Sequence, residues 1–339
     1  MFRIVQVFAI IVVTVLPRGG FAWEANEIKA TGKVFVDSRP VLVEGAKSGE
    51  GPAWDPRHGL FFSGGGGVTL YGLNGQSRMF LKDAGTNGLL LDASGAMLMC
   101  QPRYRRVSTY DLKTRKLRVL TDSYHGKPYN QPNDITVDTK GRAYFSDPKY
   151  GSRDGMDQLD DSGKKIEGVY RIDVDGSVHR IITHEVDRPN GLVVTPDDRY
   201  LFVADNNNNM VDKGERKLWR FDLKPNGTVD LASQKILFDW ERGRGPDGMV
   251  LDAKGHVYVA GGLNKDNPPY ETAAKYKGGV YVFTPDGALV DFAPVPNDEV
   301  TNCTSGGKDL KTLYITAGGT LWKTRTKHAG QMPWPGMSR

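Results

Sequence analysis

The stretch that decides the fold runs from Arg188 to Asp205 and reads RPNGLVVTPDDRYLFVAD. Two short runs of strand-forming residues, Leu192–Val194 and Tyr200–Ala204, flank a polar turn that contains Pro and Asp. Strand formers on both sides of such a turn are typical of an antiparallel β-hairpin. We therefore predict a hairpin here, with Asn190 at its entry.

The same phrase recurs six times along the chain, and each copy opens on a residue with a side-chain oxygen. We call these six opening residues the oxygen column: Glu50, Asn87, Asn133, Asn190, Asp247 and Asn302. Successive members lie 37 to 57 residues apart. A second kind of hairpin separates the copies and is marked by Asp-Gly or Asn-Gly turns, which are the strongest short hairpin signal. Each repeat therefore contains four strands.

Repeats of four antiparallel strands at roughly this period are typical of a β-propeller. Six copies predict an all-β, six-bladed propeller that occupies residues 23–339 as one domain, because the repeat is never interrupted. The last blade is one strand short after Leu321–Lys323. We therefore expect an N-terminal strand from residues 33–43 to pair with the last blade and close the ring.

Length and composition agree with such a fold. A chain of 339 residues with 39% hydrophobic content can bury a large core. Its 41 glycines and 19 prolines have no collagen-like period, so they indicate many short strands and turns. The 45 basic and 40 acidic residues form no basic block, which argues against nucleic-acid binding. Cys100 and Cys303 lie in or beside apolar strand runs, which favours buried free thiols over a disulfide.

Residues 1–22 have the organisation of a secretory signal peptide. Arg3 supplies the positive charge, Ile4–Leu16 is mostly apolar, and Ala22 is the small residue that cleavage requires. The apolar segment is too short to span the hydrocarbon of a membrane. We therefore expect cleavage near Ala22, export to the periplasm or the medium, and no membrane attachment afterwards.

Strand order predicts that the oxygen column lies on one face of the propeller. If the first, innermost strand of each blade starts at the top, its second strand ends at the top. Asp147 and Asp205 end second strands and therefore belong to this face. Three long polar insertions also follow second strands: 148–168, 206–217 and 262–279. Loops of this kind carry functional sites on rigid scaffolds.

The chemistry of the oxygen column indicates a metal ion. Glu50 and Asp247 would repel each other at the mouth of the channel unless a cation lay between them. Asn133 and Asn190 add neutral oxygens, and the column contains no His or Cys. Such donors suit a hard divalent ion, Ca²⁺ first, with Mg²⁺, Mn²⁺ or Zn²⁺ as alternatives. For the other two asparagines of the column, a purely turn-forming role is an equally good explanation.

Four phrases resemble those of the SMP-30/gluconolactonase/LRE-like family, in the family's order and over nearly the whole mature chain: Glu50–Trp54, Pro132–Asp134, Arg188–Gly191 and Pro246–Gly248. The resemblance implies a six-bladed propeller lactonase with one divalent metal at the channel mouth. It implies that Glu50, Asn190 and Asp247 ligate the metal, and that Asn133 lies beside the metal and the substrate. It also implies that Asp247 acts as the general base.

On this basis we expect hydrolysis of a lactone, such as gluconolactone, by attack of water on a carbonyl that the cation polarises. Asp247 would activate the water, and Asn133 would hold the carbonyl or ring oxygen of the substrate. Asp134 would orient a water or ligand, with a turn or supporting role as its alternative. The remaining candidates for substrate binding are Arg103, Asp147, Tyr150 and Asp205.

The chain departs from the family at positions expected to face the substrate. Cys100–Arg106 reads CQPRYRR where many relatives have a phrase like Cys-Glu-His-Gly-Asn-Arg-Arg. Gln131 stands where some animal members have arginine, Ser305–Gly307 where the family has Phe-Gly-Gly, and Phe62–Gly64 where it has Phe-Ser-Asp. The predicted metal ligands survive these changes, so the departures concern which lactone is used.

Two other functions are compatible with an exported propeller. One is a non-enzymatic binding or interaction platform, and the other is a metal-free propeller similar to strictosidine synthase. Neither gives a reason for Glu50, Asn190 and Asp247 to share one column. A serine nucleophile is disfavoured because the chain has no Gly-x-Ser-x-Gly elbow. We expect a small-molecule lactone as the partner, and a monomer or weak dimer.

Overall fold

The computed structural model describes residues 28–92, 94–209 and 214–332. Six antiparallel four-stranded sheets form the blades. The first strands of neighbouring blades contact each other, including those of the first and last blades, so the blades form a ring. The six-bladed propeller predicted from the repeat is therefore confirmed. The signal-peptide prediction concerns residues that lie outside those the structure describes.

The described chain begins with strand β1 (Val41–Lys47) and continues blade by blade. Blades 1 and 2 consist of β2 (Glu50–Asp55), β3 (Gly59–Gly64), β4 (Gly67–Gly72), β5 (Ser77–Leu81), β6 (Leu89–Leu91), β7 (Ala96–Gln101), β8 (Arg106–Asp111) and β9 (Leu117–Thr121). A small hairpin of β10 (Ser123–Tyr124) and β11 (Lys127–Pro128) leads to blade 3, and one 3₁₀ helix, Pro102–Tyr104, follows β7.

Blades 3 to 6 repeat the same order. Blades 3 and 4 consist of β12 (Ile135–Val137), β13 (Ala143–Asp147), β14 (Gly168–Ile172), β15 (Val178–Ile182), β16 (Pro189–Val194), β17 (Tyr200–Asp205), β18 (Lys217–Leu223) and β19 (Val229–Asp239). Blades 5 and 6 consist of β20 (Met249–Leu251), β21 (Val257–Gly261), β22 (Gly279–Phe283), β23 (Leu289–Pro294), β24 (Val300–Gly306), β25 (Thr312–Ala317) and β26 (Thr320–Arg325), with β1 as the outermost strand of blade 6.

Closure of the ring uses the N-terminal arm, as expected, but a later part of it. Strand β1 pairs antiparallel with β26, and its register joins Val41 to Lys323 and Leu42 to Trp322. Within the predicted range 33–43, Phe35 forms only an isolated bridge to Thr326. Two tight backbone hydrogen bonds to the Asp291 carboxylate, from Val34 and Phe35, hold this earlier part of the arm against blade 5.

The core lies between blades. The described residues form six hydrophobic clusters, and each joins side chains of two neighbouring blades. Between blades 4 and 5, for example, Phe202 and Trp240 pack with Tyr281 and Phe283, all fully buried. Burying one such side chain contributes about 1.5–3 kcal/mol. The ring is therefore held by apolar contacts between sheets, which leaves the strand ends at the channel mouth free for polar groups.

The far end of the central channel is covered by the C-terminal segment. Gln331 donates its backbone N–H to the carbonyl of Leu251, which ends the first strand of blade 5. Gln331 and Met332 line the cavity at the centre of the ring. Because Asp247 precedes the same strand at its other end, the oxygen column lies at the opposite mouth.

Two further expectations concern the described residues. Cys100 and Cys303 are both free and buried, as predicted. The three long insertions do connect second to third strands, because β13, β17 and β21 end where the insertions begin. No helix among the residues described has the length and apolar character needed to cross a membrane.

Candidate active site

A β-bulge presents the oxygen column at the start of the inner strands. In blade 5 the backbone N–H of Asp247 donates to Ala260 and the N–H of Ala260 donates back to Gly248, so two residues face one. The equivalent bonds join the Asn87 and Asn133 positions to Cys100 and Ser146. Such a bulge turns a side chain away from the regular pleat and is common beside active sites. Here the bulge turns the side chain of the column residue away from the pleat of its own hairpin.

The residue that follows a column member lets neighbouring blades approach closely. A Cβ atom on Gly191 would lie 2.2 Å from the carbonyl oxygen of Asp247, and one on Gly248 would lie 1.9 Å from Cγ of Asn302. The N–H of Gly88 similarly donates to the carbonyl of Asn133 at 2.7 Å. Glycine is required at such sites because any side chain would collide with the next blade. The column residues of adjacent blades are therefore held in direct backbone contact.

Asp134 shows that the column converges on the axis. It occupies the position that is glycine in blades 1, 2, 4 and 5. Its Oδ2 accepts a hydrogen bond from Nδ2 of Asn302 at 3.4 Å, although the two residues belong to blades 3 and 6 on opposite sides of the ring. Both side chains line the central cavity. Asp134 therefore lies at the channel axis, and its role, orienting a water or ligand or supporting the column, stays a prediction.

The carboxylates at the channel mouth disfavour one another's charge. Burial, the nearby Asp247 and then Asp134 raise the pKa of Glu50 well above its usual range. Burial raises the pKa of Asp247 to about 7, against the opposing effect of Arg244. Burial also raises the pKa of Asp134 to about 6. Three carboxylates from blades 1, 3 and 5 thus share one poorly solvated region, which a positive charge would stabilise.

Two neighbouring groups position the column from the top-face loops. The Arg244 guanidinium lies 3.9 Å from Asp247 and pairs with Glu271 at 3.2 Å and Glu299 at 3.0 Å. On the other side, Nδ2 of Asn190 donates to the Tyr150 hydroxyl. Both contacts join a column residue to a group elsewhere in the chain. The site is therefore braced by side chains as well as by backbone.

The donor set fits a hard divalent cation. Among the described residues no three His, Cys, Asp or Glu side chains form a metal cluster by themselves. A cation would therefore need amide oxygens in addition to the carboxylates of Glu50 and Asp247. Asn190 can supply one, since its Oδ1 receives no hydrogen bond from the part of the chain described. Two mutually destabilised carboxylates beside a free amide oxygen are typical calcium donors.

Asn133 also lies in this ring, with 6% of its surface exposed. Its backbone N–H donates to Ser146, while its side-chain amide makes no hydrogen bond within the described chain. The amide is thus available either to a cation or to a substrate oxygen. Its assignment to the metal or to the substrate stays a prediction.

Asp147 and Asp205 have a different position from the one expected. Each is fully buried and ends a second strand. The oxygens of Asp147 accept the backbone N–H groups of Asn130 and Gln131, and those of Asp205 accept the N–H groups of Asp187 and Arg188. With no exposed surface, neither carboxylate is presented to a substrate. Both instead clamp the segment that leads into the column, which corrects their interpretation as pocket walls.

Replacing Asp205 by asparagine is expected to lower the free energy of unfolding by about 1–3 kcal/mol, because an amide N–H₂ would face a backbone donor. The carboxylate accepts three hydrogen bonds, including one from Trp219 Nε1 at 3.1 Å. Urea unfolding followed by tryptophan fluorescence measures the change. Asp161→Asn is the matched control, since Asp161 is exposed. Equal stability of the two variants would contradict the clamp.

The two other substrate-binding candidates both lie on the top face. Tyr150 contacts Asn190 directly, and the Arg188 guanidinium lies 5.3 Å from the centre of its ring. Arg103 is exposed on the 3₁₀ helix after β7 and lines a separate cavity together with Gln131 and Lys149. The structure thus joins Tyr150 to the column and places Arg103 beside it.

Sequence reasoning missed Arg244 and its partner Glu271. Arg244 precedes Asp247 by three residues, so an arginine shortly before a column carboxylate was the available signal. Glu271 carried no such signal, since it lies in the 262–279 insertion and is 3% exposed only because the loop folds back. Its pairing with Arg244 depends on tertiary structure.

Comparison with known proteins places these features in a family. The profile of the SMP-30/Gluconolactonase/LRE-like region matches residues 48–319. A gluconolactonase of Zymomonas mobilis is 30% identical over 255 residues, which cover 74% of this chain and 65% of that protein. The match thus spans slightly less than two thirds of the relative's length.

Two solved structures share the fold. A gluconolactonase from Xanthomonas campestris has a TM-score of 0.70 and 26% identity, covering 89% of this chain and 95% of its own. A calcium-binding protein, regucalcin, from Agrobacterium tumefaciens has a TM-score of 0.66 and 19% identity, covering 90% and 97%. At that identity the second likeness establishes the fold alone.

The profile match extends from just before Glu50 to well beyond Asn302, so it contains the whole oxygen column together with all three top-face insertions. It also contains every strand from β2 to β25, so only β1 and β26, the two outer strands of blade 6, lie outside it. The chain therefore belongs to the SMP-30/gluconolactonase/LRE-like family.

Proposed function

We propose that this protein hydrolyses a sugar lactone at the mouth of its channel with the help of one bound divalent cation. The observation that carries the proposal is the convergence of Glu50 and Asp247 with the Asn190 amide on the face that bears the long insertions. The lactonases among the relatives support the reaction class. The carboxylate and amide oxygens of the site, without His or Cys, support Ca²⁺ as the first candidate cation, with Mg²⁺, Mn²⁺ and Zn²⁺ as alternatives.

Glu50, Asn190 and Asp247 would hold the cation, with Asn133 beside it. When bound, the cation supplies Lewis-acid polarisation of the lactone carbonyl. The remaining chemistry belongs to the protein's own side chains. A lactone is opened when the oxygen of a water molecule bonds to the carbonyl carbon and the bond to the ring oxygen breaks.

Asp247 is placed to take the proton from the attacking water. A general base must be ionised to accept a proton, and the cation and Arg244 would favour the ionised carboxylate against the burial that raises the pKa of Asp247. The proton would then pass to the ring oxygen as it leaves as a hydroxyl. Asn133 would donate a hydrogen bond from its free amide to the carbonyl or ring oxygen, and Asp134 would hold a water at the channel axis.

The neighbouring groups keep these side chains in place. Arg244 lies within 3.9 Å of Asp247, and its ion pair with Glu271 anchors it to the 262–279 insertion. The Tyr150 hydroxyl accepts a hydrogen bond from Nδ2 of Asn190. The Oδ1 of the same amide therefore points away from Tyr150 and would be left for the cation. Orientation of this kind is worth large factors in rate because the reacting groups need not search for their geometry.

We propose in addition that the protein acts outside the cytoplasm, as a monomer or weak dimer, on a small-molecule substrate. The N-terminal signal-like segment supports export. Basic and acidic residues are spread along the chain without a basic block, which argues against a nucleic acid as the partner.

Removing the cation with a chelator tests whether hydrolysis depends on a bound metal. Purified protein without residues 1–22 is assayed with glucono-δ-lactone, galactono-γ-lactone and γ-butyrolactone, and acid release is followed with a pH indicator. Chelator treatment is expected to lower kcat/KM by about 100-fold or more, since a Lewis acid stabilises several kcal/mol of developing charge. Adding Ca²⁺, Mg²⁺, Mn²⁺ or Zn²⁺ separately should identify the ion that restores the rate.

The outcomes separate the competing functions. Full activity in chelated protein would overturn the metal-dependent mechanism and favour a metal-free propeller. Failure to hydrolyse any of the three lactones, together with tight cation binding, would favour a binding platform. Hydrolysis of sugar lactones that depends on the cation supports the proposal.

A further inference from the structure

A second cavity lies on the top face beside the oxygen column, and it is lined by cationic and amide side chains. It is a half-open cavity bordered by the 3₁₀ helix after β7, the segment before Asn133 and the 148–168 insertion. Its polar lining consists of Arg103, Arg105, Asn130, Gln131, Lys149 and Asp154.

Two of the three cations in this cavity are not neutralised. Arg105 pairs with Asp157 at 2.6 Å, and its Nε donates to the carbonyl of Tyr129. The Arg103 and Lys149 side chains make no ion pair or hydrogen bond with the described residues. The one carboxylate in the lining, Asp154, is directed to solvent with 94% of its side chain exposed and lies 3.6 Å from Lys165. The lining of the cavity therefore carries positive charge that the described residues leave unpaired.

Arg103 is held at the edge of this cavity by its local structure. It lies in the middle of the 3₁₀ helix Pro102–Tyr104, and its guanidinium lies 5.8 Å from the centre of the Tyr104 ring. The Tyr104 hydroxyl in turn donates to the carbonyl of Asp83 at 2.6 Å. The Arg103 side chain is exposed at the edge of the cavity, and its planar guanidinium fork suits carboxylate and phosphate.

A buried acceptor in the same cavity lacks a partner. Asn130 is 3% exposed, and its Nδ2 donates to the carbonyls of Asp147 at 3.0 Å and Ile166 at 2.9 Å. These two bonds determine the orientation of the amide. Its Oδ1 has no hydrogen-bond donor within the described chain. A buried oxygen of this kind is normally satisfied, so the described residues leave one polar atom of Asn130 unpaired beside the cavity.

The cavity is connected to the oxygen column by hydrogen bonds. The backbone N–H of Tyr150 donates to Oε1 of Gln131 at 2.8 Å, and the hydroxyl of the same tyrosine accepts from Asn190. Gln131 also precedes Asn133 by only two residues. One ligand could therefore reach from the column into the cavity along the Tyr150 side chain.

We propose that this cavity binds an anionic substituent of the lactone, remote from the carbonyl that reacts. Arg103 and Lys149 pair with the anion, which is a carboxylate, phosphate or sulfonate. The inference rests on the proposed lactonase function and narrows its substrate to polyhydroxylated lactones that carry a second acidic group. Arg103 belongs to Cys100–Arg106, where the chain departs from the family phrase.

The test compares anionic with neutral lactones of the same ring. The ratio of kcat/KM for 6-phosphoglucono-δ-lactone to that for glucono-δ-lactone is measured, and the ratio for glucaro-1,4-lactone to that for glucono-1,4-lactone tests a carboxylate on the five-membered ring. We expect the wild-type ratio to exceed about 10, and Arg103→Gln or Lys149→Gln to lower it by about 10-fold or more, since charge-assisted pairs are the strong ones. Lys164→Gln is the matched control, because Lys164 is exposed on the same insertion. It should leave the ratio unchanged.

A binding measurement keeps the inference separate from the reaction. Titration calorimetry compares 6-phosphogluconate and glucarate with gluconate, and none of these acids needs to be hydrolysed. A preference for 6-phosphogluconate and glucarate over gluconate that Arg103→Gln abolishes supports the cavity even if no lactone is turned over. Hydrolysis of glucono-δ-lactone with a ratio near 1 and equal binding of the three acids would overturn the cavity and leave the lactonase proposal standing. If the protein neither hydrolysed a lactone nor preferred the two acids with a second anionic group, both proposals would be overturned.

Discussion

Replacing Asp247 by asparagine is expected to lower kcat/KM for glucono-δ-lactone by about 10³-fold, which combines loss of a general base with weaker charge stabilisation. The change preserves the shape of the side chain but removes the charge. Its backbone bonds to Ala260 remain, so the bulge and the fold should persist. Calorimetric titration should show that affinity for Ca²⁺ falls together with the rate.

A control variant separates the charge of Asp247 from the ion-pair network around it. Glu299→Gln removes a partner of Arg244, and the Glu299 side chain is half exposed. An exposed pair contributes about 0–1 kcal/mol, so its loss should cost less than about 10-fold in rate. If Asp247→Asn kept a tenth of the wild-type rate and bound Ca²⁺ normally, Asp247 would be neither ligand nor base.

Replacing Gly191 by alanine is expected to have the largest effect on stability, about 3 kcal/mol or more, because overpacking against backbone cannot be relieved by a rotamer change. The added Cβ would lie 2.2 Å from the carbonyl oxygen of Asp247 and 2.8 Å from Cα of Gly248. Blades 4 and 5 would have to separate at the channel mouth. Asn190 and Asp247 would separate with them, so lactonase activity should fall as well.

Gly64→Ala is the matched control for this prediction. Its Cβ would lie 3.4 Å from the backbone nitrogen of Gly49 and 3.7 Å from its Cα, which are ordinary contacts. We expect its free energy of unfolding to change by less than about 0.5 kcal/mol. Thermal unfolding of both variants, with calorimetry of the heat absorbed, measures the difference. Equal midpoints for the two would show that the blades do not meet where the structure places them.

The repeat was enough to predict the architecture, because its signals are local. Asn-Gly and Asp-Gly turns and runs of strand formers act over a few residues, so each hairpin could be found without knowledge of its neighbours. The alternation of strand direction then assigned the oxygen column and the insertions to one face. The range predicted for the closing strand, 33–43, was less accurate, since β1 begins only at Val41. Its pairing with β26 joins residues that lie nearly the whole chain apart. No local pattern determines a pairing of that length.

The sequence by itself determined the six blades, the face of the site, and the identity of the column residues. Tertiary structure decided what surrounds them. Asp147 and Asp205 looked like site residues because they have the right chemistry on the right face, but backbone N–H groups occupy their oxygens. The Asp134–Asn302 contact across the axis and the Arg244–Glu271 pair join distant segments. Burial and partners depend on which segments meet, and that is a property of the closed ring rather than of any one repeat.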